Sequence, residues 1–449
     1  MIKKILKAFL FIILFTIGAL LLFVLVSVLP IDRYDYHESP FYHTMNDRLD
    51  SLKKVKSITK GSTFLIGYSK VNLTPDHRIS LAGYGNRKGA LYSAVHDSIF
   101  VRTMVVSNKH TRVAIVSADL LIIPPTVTAI LEKELPSIGF SLNNTYLNAV
   151  HSHNSIGNWG KGAVGFMYGS YQDSIVHFIA DKIKESILLA SKNALPATIK
   201  TASIPVKGPV RNRITDDGGV DSLLHVVEVH REDSSKLIVM SYTAHATCLY
   251  SRDWELSRDY PGVLVDTLEK QGYTFAMFMA GAVGSHGPTQ SGWAGTEWMS
   301  HAIVSKFEKQ KSTLKSLRDS SLVMYRIPLE LGKAQVKISE DWKVRPWLFR
   351  AAFGYSPNYL TVLRIGELVL IGTPCDYSGE LTPELYAAAQ KKNLQVMVTS
   401  FNGGYIGYIT PLKYYDVDHY ETRLMNWYGP GSGEYMQECL LGLLDVVSN

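Results

Sequence analysis

The chain of 449 residues is 46% hydrophobic and 11% aromatic, which excludes a short peptide, a collagen and an intrinsically disordered tail. Its net charge of +6 falls to 6 − 3 = +3 without Lys3, Lys4 and Lys7 at the N-terminus, so we expect no nucleic-acid binding. The three cysteines are too few for a disulfide framework and lack the spacing of a metal motif. These quantities leave the oligomeric state open.

The first predicted element is an N-terminal membrane helix. No charged residue occurs between Lys7 and Asp32, and the apolar run AFLFIILFTIGALLLFVLVSVLPI has about the 20 residues that a helix needs to span a bilayer. Because lysines precede this run, we expect a cytoplasmic N-terminus and a body outside, in the periplasm or extracellular space. A cleaved signal peptide usually has a shorter apolar region and a site of small residues, which residues 26–28 do not provide. The pattern therefore favours an uncleaved single-pass signal anchor over residues 1–31.

Residues 32–60 are polar and of mixed charge, which predicts a tether or short stalk. From there on, apolar and β-branched runs typical of strands alternate with segments of helical length. Since no repeat or low-complexity linker interrupts this alternation, it predicts one large α/β domain over residues 61–449, with a mixed β-sheet and flanking helices. The predicted helices lie near residues 124–135, 170–193, 260–271, 296–311, 378–391 and 431–447.

Histidines follow two of the predicted strands. His151 and His153 come directly after the run TYLNAV, and His245 ends the run LIVMSYTAH. Because residues i and i+2 point to the same side of a strand, the first two imidazoles are expected to face one pocket. Neutral imidazole nitrogens bind zinc, but each of these histidines taken alone is more often a loop or hydrogen-bonded core residue.

Two further polar residues occupy similar positions. Asp376 ends the run LVLIGTPC, where a carboxylate is costly to bury unless it is paired or bound to a cation, although a helix N-cap explains it equally well. Tyr408 lies in a glycine-rich stretch after the run QVMVTSF. In open α/β sheets, ligand crevices form outside the carboxyl ends of strands. Two histidines, one carboxylate and one more oxygen would make a zinc site with room for water, which indicates hydrolysis.

In chain order these residues stand in motifs that resemble the neutral/alkaline non-lysosomal ceramidase family, in its N-terminal catalytic domain. The likeness extends over roughly residues 62–440. The runs AVHSH, YTAH, PCDY and YIT resemble the family's A-T-H-T-H, F-A-V-H, P-G-E-F and Y-V-T, and RNR and YE resemble its N-R-S and Y-E. The resemblance implies that one zinc ion is bound by His151, His245, Asp376 and Tyr408. It implies substrate contacts from His153, Arg213 and Tyr420.

Three departures from the family pattern are visible. Asp376 replaces a glutamate and is one methylene shorter. A gapless match of AGAV places Gly284 where the family has a serine, so either Ser285 takes that role through a changed turn or a zinc-bound water acts without it. The resemblance covers only the catalytic domain, and we expect no counterpart of the immunoglobulin-like domain that follows in ceramidases.

The resemblance predicts a zinc-dependent hydrolase that cleaves the amide bond of ceramide or a related N-acyl lipid to a fatty acid and an amine. Two alternatives stay open. The glycine at the serine position favours a membrane-tethered lipid-binding protein without activity. A zinc hydrolase of another amide or ester is the second alternative, because it would use the same kind of ligand set.

Overall fold

The computed structural model describes residues 2–55, 58–354 and 356–448 of the chain. All six helices predicted from the sequence form, with boundaries that differ by a few residues. The helices are α1 (Ile2–Ser27), α2 (Pro40–Lys53), α3 (Pro125–Glu134), α4 (Ala163–Tyr168), α5 (Asp173–Lys192), α6 (Asp259–Lys270), α7 (Gly292–Gln310), α8 (Pro346–Phe353), α9 (Thr382–Lys391), α10 (Tyr420–Arg423) and α11 (Ser432–Val446).

The strands include longer ones that build the sheets and short ones of two or three residues near the loops. They are β1 (Val28–Pro30), β2 (Thr59–Lys60), β3 (Phe64–Asn72), β4 (Ala94–Val95), β5 (Phe100–Ser107), β6 (Arg112–Ala118), β7 (Thr145–Ala149), β8 (Leu195–Pro205), β9 (Val210–Asn212), β10 (Leu223–Arg231), β11 (Lys236–Tyr242), β12 (Glu255–Leu256), β13 (Phe275–Ala280), β14 (His286–Pro288), β15 (Lys315–Ser316), β16 (Ser321–Pro328), β17 (Trp342–Val344), β18 (Tyr359–Ile365), β19 (Leu368–Thr373), β20 (Asp376–Tyr377), β21 (Gln395–Ser400) and β22 (Tyr408–Ile409).

Two mixed β-sheets carry the fold. The larger has the order β13-β11-β10-β8-β3-β5-β6-β7, with β15 added beside β8, and the smaller has the order β2-β16-β18-β19-β21. In the larger sheet β6 pairs with β7 and β11 with β13 in parallel, and in the smaller sheet β19 pairs with β21 in parallel. The neighbouring pairs β3–β5, β5–β6 and β18–β19 are antiparallel. The predicted α/β domain with mixed sheets and flanking helices is therefore confirmed.

The sheets and helices stack in four layers. Side chains of both sheets meet in a shared core, with Ile66, Val106 and Met277 from the larger sheet and Leu363 and Leu370 from the smaller. Helices α3, α5, α6 and α7 cover the outer face of the larger sheet, and α2, α9 and α11 cover that of the smaller. Strands buried on both faces carry apolar residues at every position, which is why segments such as FAMFMA in β13 are uninterrupted apolar runs.

Residues 32–60 are predicted as a tether, and their described part, residues 32–55 and 58–60, belongs to the folded body in the structure. Helix α2 packs against α11 and buries Met45 and Leu49 in the core outside the smaller sheet. Strand β2 pairs with β16, and Lys343 donates a hydrogen bond to Asp32 at 2.6 Å. The segment looks like a tether in sequence because a surface helix that buries only two side chains has a polar average composition.

Helix α1 stands apart from these layers. Its 26 residues are almost entirely exposed, and it is the one helix in the described part of the chain that is long and apolar enough to cross a membrane. At about 1.5 Å per residue it extends about 39 Å, which exceeds the ~30 Å hydrocarbon core of a bilayer. A helix that is apolar on every side needs lipid around it, which is consistent with a single-pass anchor. Its orientation across the membrane stays a prediction.

The packing of α2 gives a direct test of its place in the body. Met45→Ala removes a fully buried side chain, so we expect it to lower the free energy of unfolding of the full chain by about 2–5 kcal/mol. Val55→Ala, at an exposed position just after the same helix, should change it by less than about 0.5 kcal/mol. Denaturant unfolding of the detergent-solubilised protein measures both. Equal, negligible effects would mean that residues 32–60 are a free tether.

Candidate active site

The predicted metal ligands come from strand ends of both sheets. His151 follows β7 and His245 follows β11, so the larger sheet supplies the two imidazoles. Asp376 follows β19 of the smaller sheet after a short turn, and it begins β20. Because β20 pairs with β22, Asp376 lies directly opposite Tyr408. The edge where the two sheets meet thus brings all four side chains together, as expected for residues at the carboxyl ends of strands.

The donor atoms of these residues converge, each within 3.6 Å of another. Nε2 of His151 lies 2.8 Å from Nε2 of His245, and Oδ1 of Asp376 lies 3.4 Å and 3.6 Å from these two nitrogens. The hydroxyl oxygen of Tyr408 lies 3.3 Å from Nε2 of His245. His153 is close as well, with its Nε2 at 3.1 Å from that of His151. The three histidines form a group that could hold a metal ion, because one ring nitrogen from each lies within 4.8 Å of the other two.

The hydrogen bonds around this group leave electron pairs of the two imidazoles and the carboxylate facing one another. Nδ1 of His151 faces the carbonyl oxygen of Leu121 at 2.6 Å, and Nδ1 of His245 faces that of Val283 at 3.3 Å. Since a carbonyl only accepts, we assign the ring proton to Nδ1 in both, which leaves two Nε2 lone pairs facing each other. Oδ1 of Asp376 is buried and accepts no hydrogen bond from the described residues. These donors fit a metal ion, because tetrahedral zinc ligands stand about 3.3 Å apart.

Burial keeps the group in the protonation state that a metal requires. It lowers the pKa of His151 to about 3, and it lowers the pKa of His153 and of His245 well below the ordinary value for an imidazole. The same burial raises the pKa of the Asp376 carboxyl to about 7. Neutral imidazoles are ready to act as ligands, whereas a bare carboxylate in this position is unfavourable unless a cation balances it.

Strand alternation, which the sequence predicts, is not the reason that His151 and His153 face each other. Strand β7 ends at Ala149, and His151 has φ +68°, in the left-handed region that side chains with a Cβ rarely adopt. Its ring stacks on Phe401 with centroids 4.0 Å apart. The turn at His151, rather than an extended strand, therefore directs its ring toward His153. Such strain is held in place by the surrounding structure and is common at functional sites.

The three residues expected to contact substrate lie beside the donor group. His153 is half-buried, whereas His151 and His245 are fully buried. Arg213 forms an ion pair with Glu421, with 2.5 Å between Nε and Oε1. Burial opposes the charge of Arg213, but nearby Tyr408 and Glu421 raise its pKa above the ordinary value. The ring of Tyr420 meets that of Tyr408 edge to face at 6.0 Å, and Tyr420 is half exposed.

Among the described residues, no contact joins the Ser285 hydroxyl to the predicted metal ligands. The hydroxyl is buried and lies 2.6 Å from that of Ser378, and the Ser285 carbonyl accepts a hydrogen bond from the backbone of Arg213. Gly284 is pressed against the backbone of Asp376: a Cβ at this glycine would lie 2.2 Å from the Asp376 carbonyl oxygen. A serine at position 284 therefore does not fit this backbone.

Gly284 thus has a specific structural role. Its amide donates a hydrogen bond to the carbonyl of Tyr377 at 2.8 Å, which holds the two segments together. The backbone of Asp376 lies against this glycine, and its Oδ1 is 3.4 Å from Nε2 of His151. The two positions that depart from the family pattern, Gly284 and Asp376, are thus in direct contact.

Sequence reasoning missed two supporting residues. The Tyr405 hydroxyl donates to Oδ2 of Asp376 at 2.7 Å and fixes the orientation of that carboxylate. Buried Arg87 donates to the carbonyl oxygen of His153 at 2.6 Å. Tyr405 precedes Tyr408 by three residues in the same glycine-rich stretch, which was a usable signal. Nothing near Arg87 in the sequence indicates its contact, because it comes from a loop 66 residues away.

Comparison with known proteins identifies the family. The profile described as neutral/alkaline non-lysosomal ceramidase, N-terminal, matches residues 64–292, about half of the chain. The chain belongs to the neutral/alkaline ceramidase family. This membership supports a hydrolase. The matched region contains His151, His153, Arg213, His245 and Ser285, whereas the other site residues lie beyond it.

Solved ceramidase structures share the fold. The neutral ceramidase from Pseudomonas aeruginosa superimposes with a TM-score of 0.73 at 17% identity, covering 86% of this chain and 74% of that one. A ceramidase complexed with C2 gives 0.74 at 16% identity, covering 84% of this chain and 74% of that one. At such identities the likeness shows the fold alone. No curated protein sequence matches the chain.

The contact at Gly284 predicts a sharp effect on metal binding. Gly284→Ala should push Asp376 away from the histidines, and we expect it to weaken Zn²⁺ binding at least about 10-fold. Gly287→Ala is the matched control, because a Cβ there would meet only the Arg213 side chain at 3.6 Å, an ordinary contact. Competition with a chromophoric chelator measures both affinities. Equal affinities in the two variants would contradict the proposed dependence of Asp376 on Gly284.

Proposed function

We propose that the protein is a zinc-dependent hydrolase that cleaves the amide bond of an N-acyl lipid, ceramide or a related N-acyl amine, to a fatty acid and an amine. The observation that carries this proposal is the convergence of two imidazoles and a carboxylate whose free electron pairs face one another in a buried place. Membership of the ceramidase family supports the reaction class and the substrate class.

We propose His151, His245, Asp376 and Tyr408 as the zinc ligands. Two imidazole nitrogens and two oxygens are a donor set that suits zinc, and it leaves room for a further ligand. Zinc bound there would act as a Lewis acid that polarises the substrate carbonyl and lowers the pKa of water. Tyr405 keeps the Asp376 carboxylate oriented through its hydrogen bond, and the carbonyls of Leu121 and Val283 keep the two imidazoles in the ligand tautomer.

Three side chains would act on the substrate carbonyl. Arg213 carries a fixed positive charge beside the ligands, and His153 and Tyr420 offer hydrogen-bond donors on the more open side. Donors aimed at the oxygen that becomes negative during acyl transfer are each worth about 2.7–4 kcal/mol in other hydrolases. Glu421 positions Arg213 through their ion pair.

Ser285 fits a catalytic role less well than these three residues. Its buried hydroxyl is engaged with Ser378, and it would have to leave that partner to reach a substrate. We propose that Ser285 contributes through its carbonyl, which holds the backbone of Arg213, and that hydrolysis proceeds without a serine hydroxyl.

The setting of this reaction is the membrane surface. We propose that α1 anchors the chain as an uncleaved signal anchor, with the N-terminus in the cytoplasm and the body in the periplasm or extracellular space. The lysines that precede the helix support this orientation.

One observation favours a second candidate function. Because Gly284 leaves no room for a serine, a protein that binds an N-acyl lipid without cleaving it would show the same site. A zinc hydrolase of another amide or of an ester shares the same donor set. Turnover separates these alternatives from the proposed amide hydrolase.

The decisive experiment is hydrolysis of a panel of N-acyl sphingoid bases, N-acyl amino-acid lipids and matched esters by the zinc-loaded full chain in detergent. We expect fatty acid release from at least one amide, a loss of more than about 100-fold in His151→Ala, and a loss of about 10²–10³ in Arg213→Gln. His177→Ala changes an exposed histidine on α5 and should retain the wild-type rate.

Two results would contradict the proposed hydrolase. Binding of zinc and lipid without cleavage of any amide would identify a binding protein. Cleavage of the esters alone would identify a hydrolase of a different class. A chain that keeps its full zinc content as the double variant His151→Ala/His245→Ala would disprove the ligand set itself.

A further inference from the structure

The membrane helix α1 is joined to the body by hydrogen bonds rather than by a loose linker. The backbone amide of Arg345 donates to the carbonyl of Ser27 at 2.8 Å, and Nε1 of Trp347 donates to that of Val26 at 3.1 Å. The Arg345 guanidinium donates to the carbonyl of Leu25 at 3.0 Å. These contacts satisfy carbonyls that a helix end otherwise leaves without partners.

The chain continues this connection directly after the helix. Strand β1 pairs with β17 in antiparallel register, so that Val28 lies opposite Val344. The backbone therefore enters the body within a few residues of the last turn of α1. Once α1 lies in a bilayer, the position of α8 relative to the membrane surface is fixed by these bonds.

Several large apolar side chains are exposed around this junction. Six large apolar or aromatic side chains here have between 38% and 55% of their surface exposed. We call this set the interfacial rim: Ile338, Trp342, Trp347, Phe353, Tyr420 and Leu424. Exposed clusters of this kind mark interaction sites, and tryptophan and tyrosine are enriched where a protein meets the headgroup level of a bilayer.

The rim also borders the candidate active site. A cleft of about 550 Å³ is lined by the rim residues Ile338, Tyr420 and Leu424 and by the polar residues Lys337, Asp418, His419 and Arg423. The half-exposed ring of Tyr420 meets that of Tyr408, one of the proposed ligands, at 6.0 Å, so Tyr420 connects this cleft with the candidate active site.

A second set of contacts leads from α8 to the same site. The rings of Phe349 and Phe353 on α8 lie 5.2 Å and 5.4 Å from that of Trp427. Trp427 in turn lies 5.3 Å from Tyr405, whose hydroxyl holds Asp376. Helix α8, which binds the end of α1, therefore packs against Trp427, and Trp427 packs against Tyr405, which orients the proposed ligand Asp376.

We propose that the interfacial rim docks on the bilayer leaflet at the C-terminal end of α1, and that the lipid substrate passes from this leaflet through the cleft beside Tyr420 without crossing water. The proposal rests on the proposed anchor and lipid amide hydrolase. Phospholipid is the occupant that the geometry favours, because the hydrogen bonds at Leu25, Val26 and Ser27 hold the rim at the level where a spanning α1 leaves the bilayer.

Spin labels test the docking independently of activity. The three native cysteines are buried, so single labels introduced by Trp342→Cys or Leu424→Cys report on the rim. Leu189→Cys on α5 and Trp298→Cys on α7 are the matched controls, since both are exposed on helices outside the larger sheet. In nanodiscs of phosphatidylcholine and phosphatidylglycerol, we expect the rim labels to be accessible to oxygen and protected from a water-soluble nickel chelate. The control labels should show the reverse.

Activity gives the second readout. Trp342→Glu should slow hydrolysis of a substrate embedded in vesicles by about 10-fold, because a charged side chain opposes interfacial binding. Trp342 lies in the rim but does not line the cleft, so the same variant should cleave that substrate in detergent micelles at the wild-type rate. Trp298→Glu should behave as wild type in both.

The outcomes separate this proposal from the ones on which it rests. Rim labels that are open to the nickel chelate on a chain that stays in the nanodisc overturn the docking alone. Dipolar broadening between rim labels identifies a second copy of the chain on this surface and also overturns it. A chain that does not stay with the lipid refutes the anchor. Absence of cleavage in micelles refutes the hydrolase, but the spin labels still report whether the rim docks.

Discussion

Two imidazole nitrogens and one carboxylate oxygen lie within 3.6 Å of one another in the interior of the protein. The proposed function depends on this close approach of three electron-pair donors. Without a cation, burial of an unpaired carboxylate beside neutral imidazoles is costly. Two sheets packed face to face position these groups. His151 and His245 follow strands of the larger sheet, and Asp376 and Tyr408 lie opposite each other in the short pair β20–β22. Rigid strands fix the donors, and the short turns after them bring the donors together.

The close contact between Gly284 and Asp376 links the two positions at which the chain departs from the family pattern. Only a glycine lets the backbone of the proposed ligand segment come this close, since a Cβ there would lie 2.2 Å from the Asp376 carbonyl oxygen. The same contact removes the space for a serine at that position. The proposed chemistry therefore depends on Arg213, His153 and Tyr420, with Tyr405 and Glu421 holding the groups beside them.

Much of the fold follows from patterns that are local in sequence. The 24-residue apolar run predicts α1, and uninterrupted apolar runs predict the doubly covered strands. Placement of polar residues after those strands predicts the site. Features that depend on distant parts of the chain are not predicted. Helix α2 buries only Met45 and Leu49, so its amino-acid composition does not show that it packs on α11. The left-handed turn at His151 and the contact of Tyr405 with Asp376 depend on tertiary packing, which no spacing rule contains.

The central claim is that these four side chains surround one zinc ion. Anomalous diffraction at the zinc edge, from crystals of the zinc-loaded chain, tests it most directly. The account predicts one peak per chain, about 2.0–2.1 Å from Nε2 of His151 and of His245 and about 2.0–2.2 Å from the Asp376 carboxylate, with the Tyr408 oxygen as the fourth ligand. A peak bonded to His153 in place of Asp376, or no peak at this edge of the sheets, would contradict it.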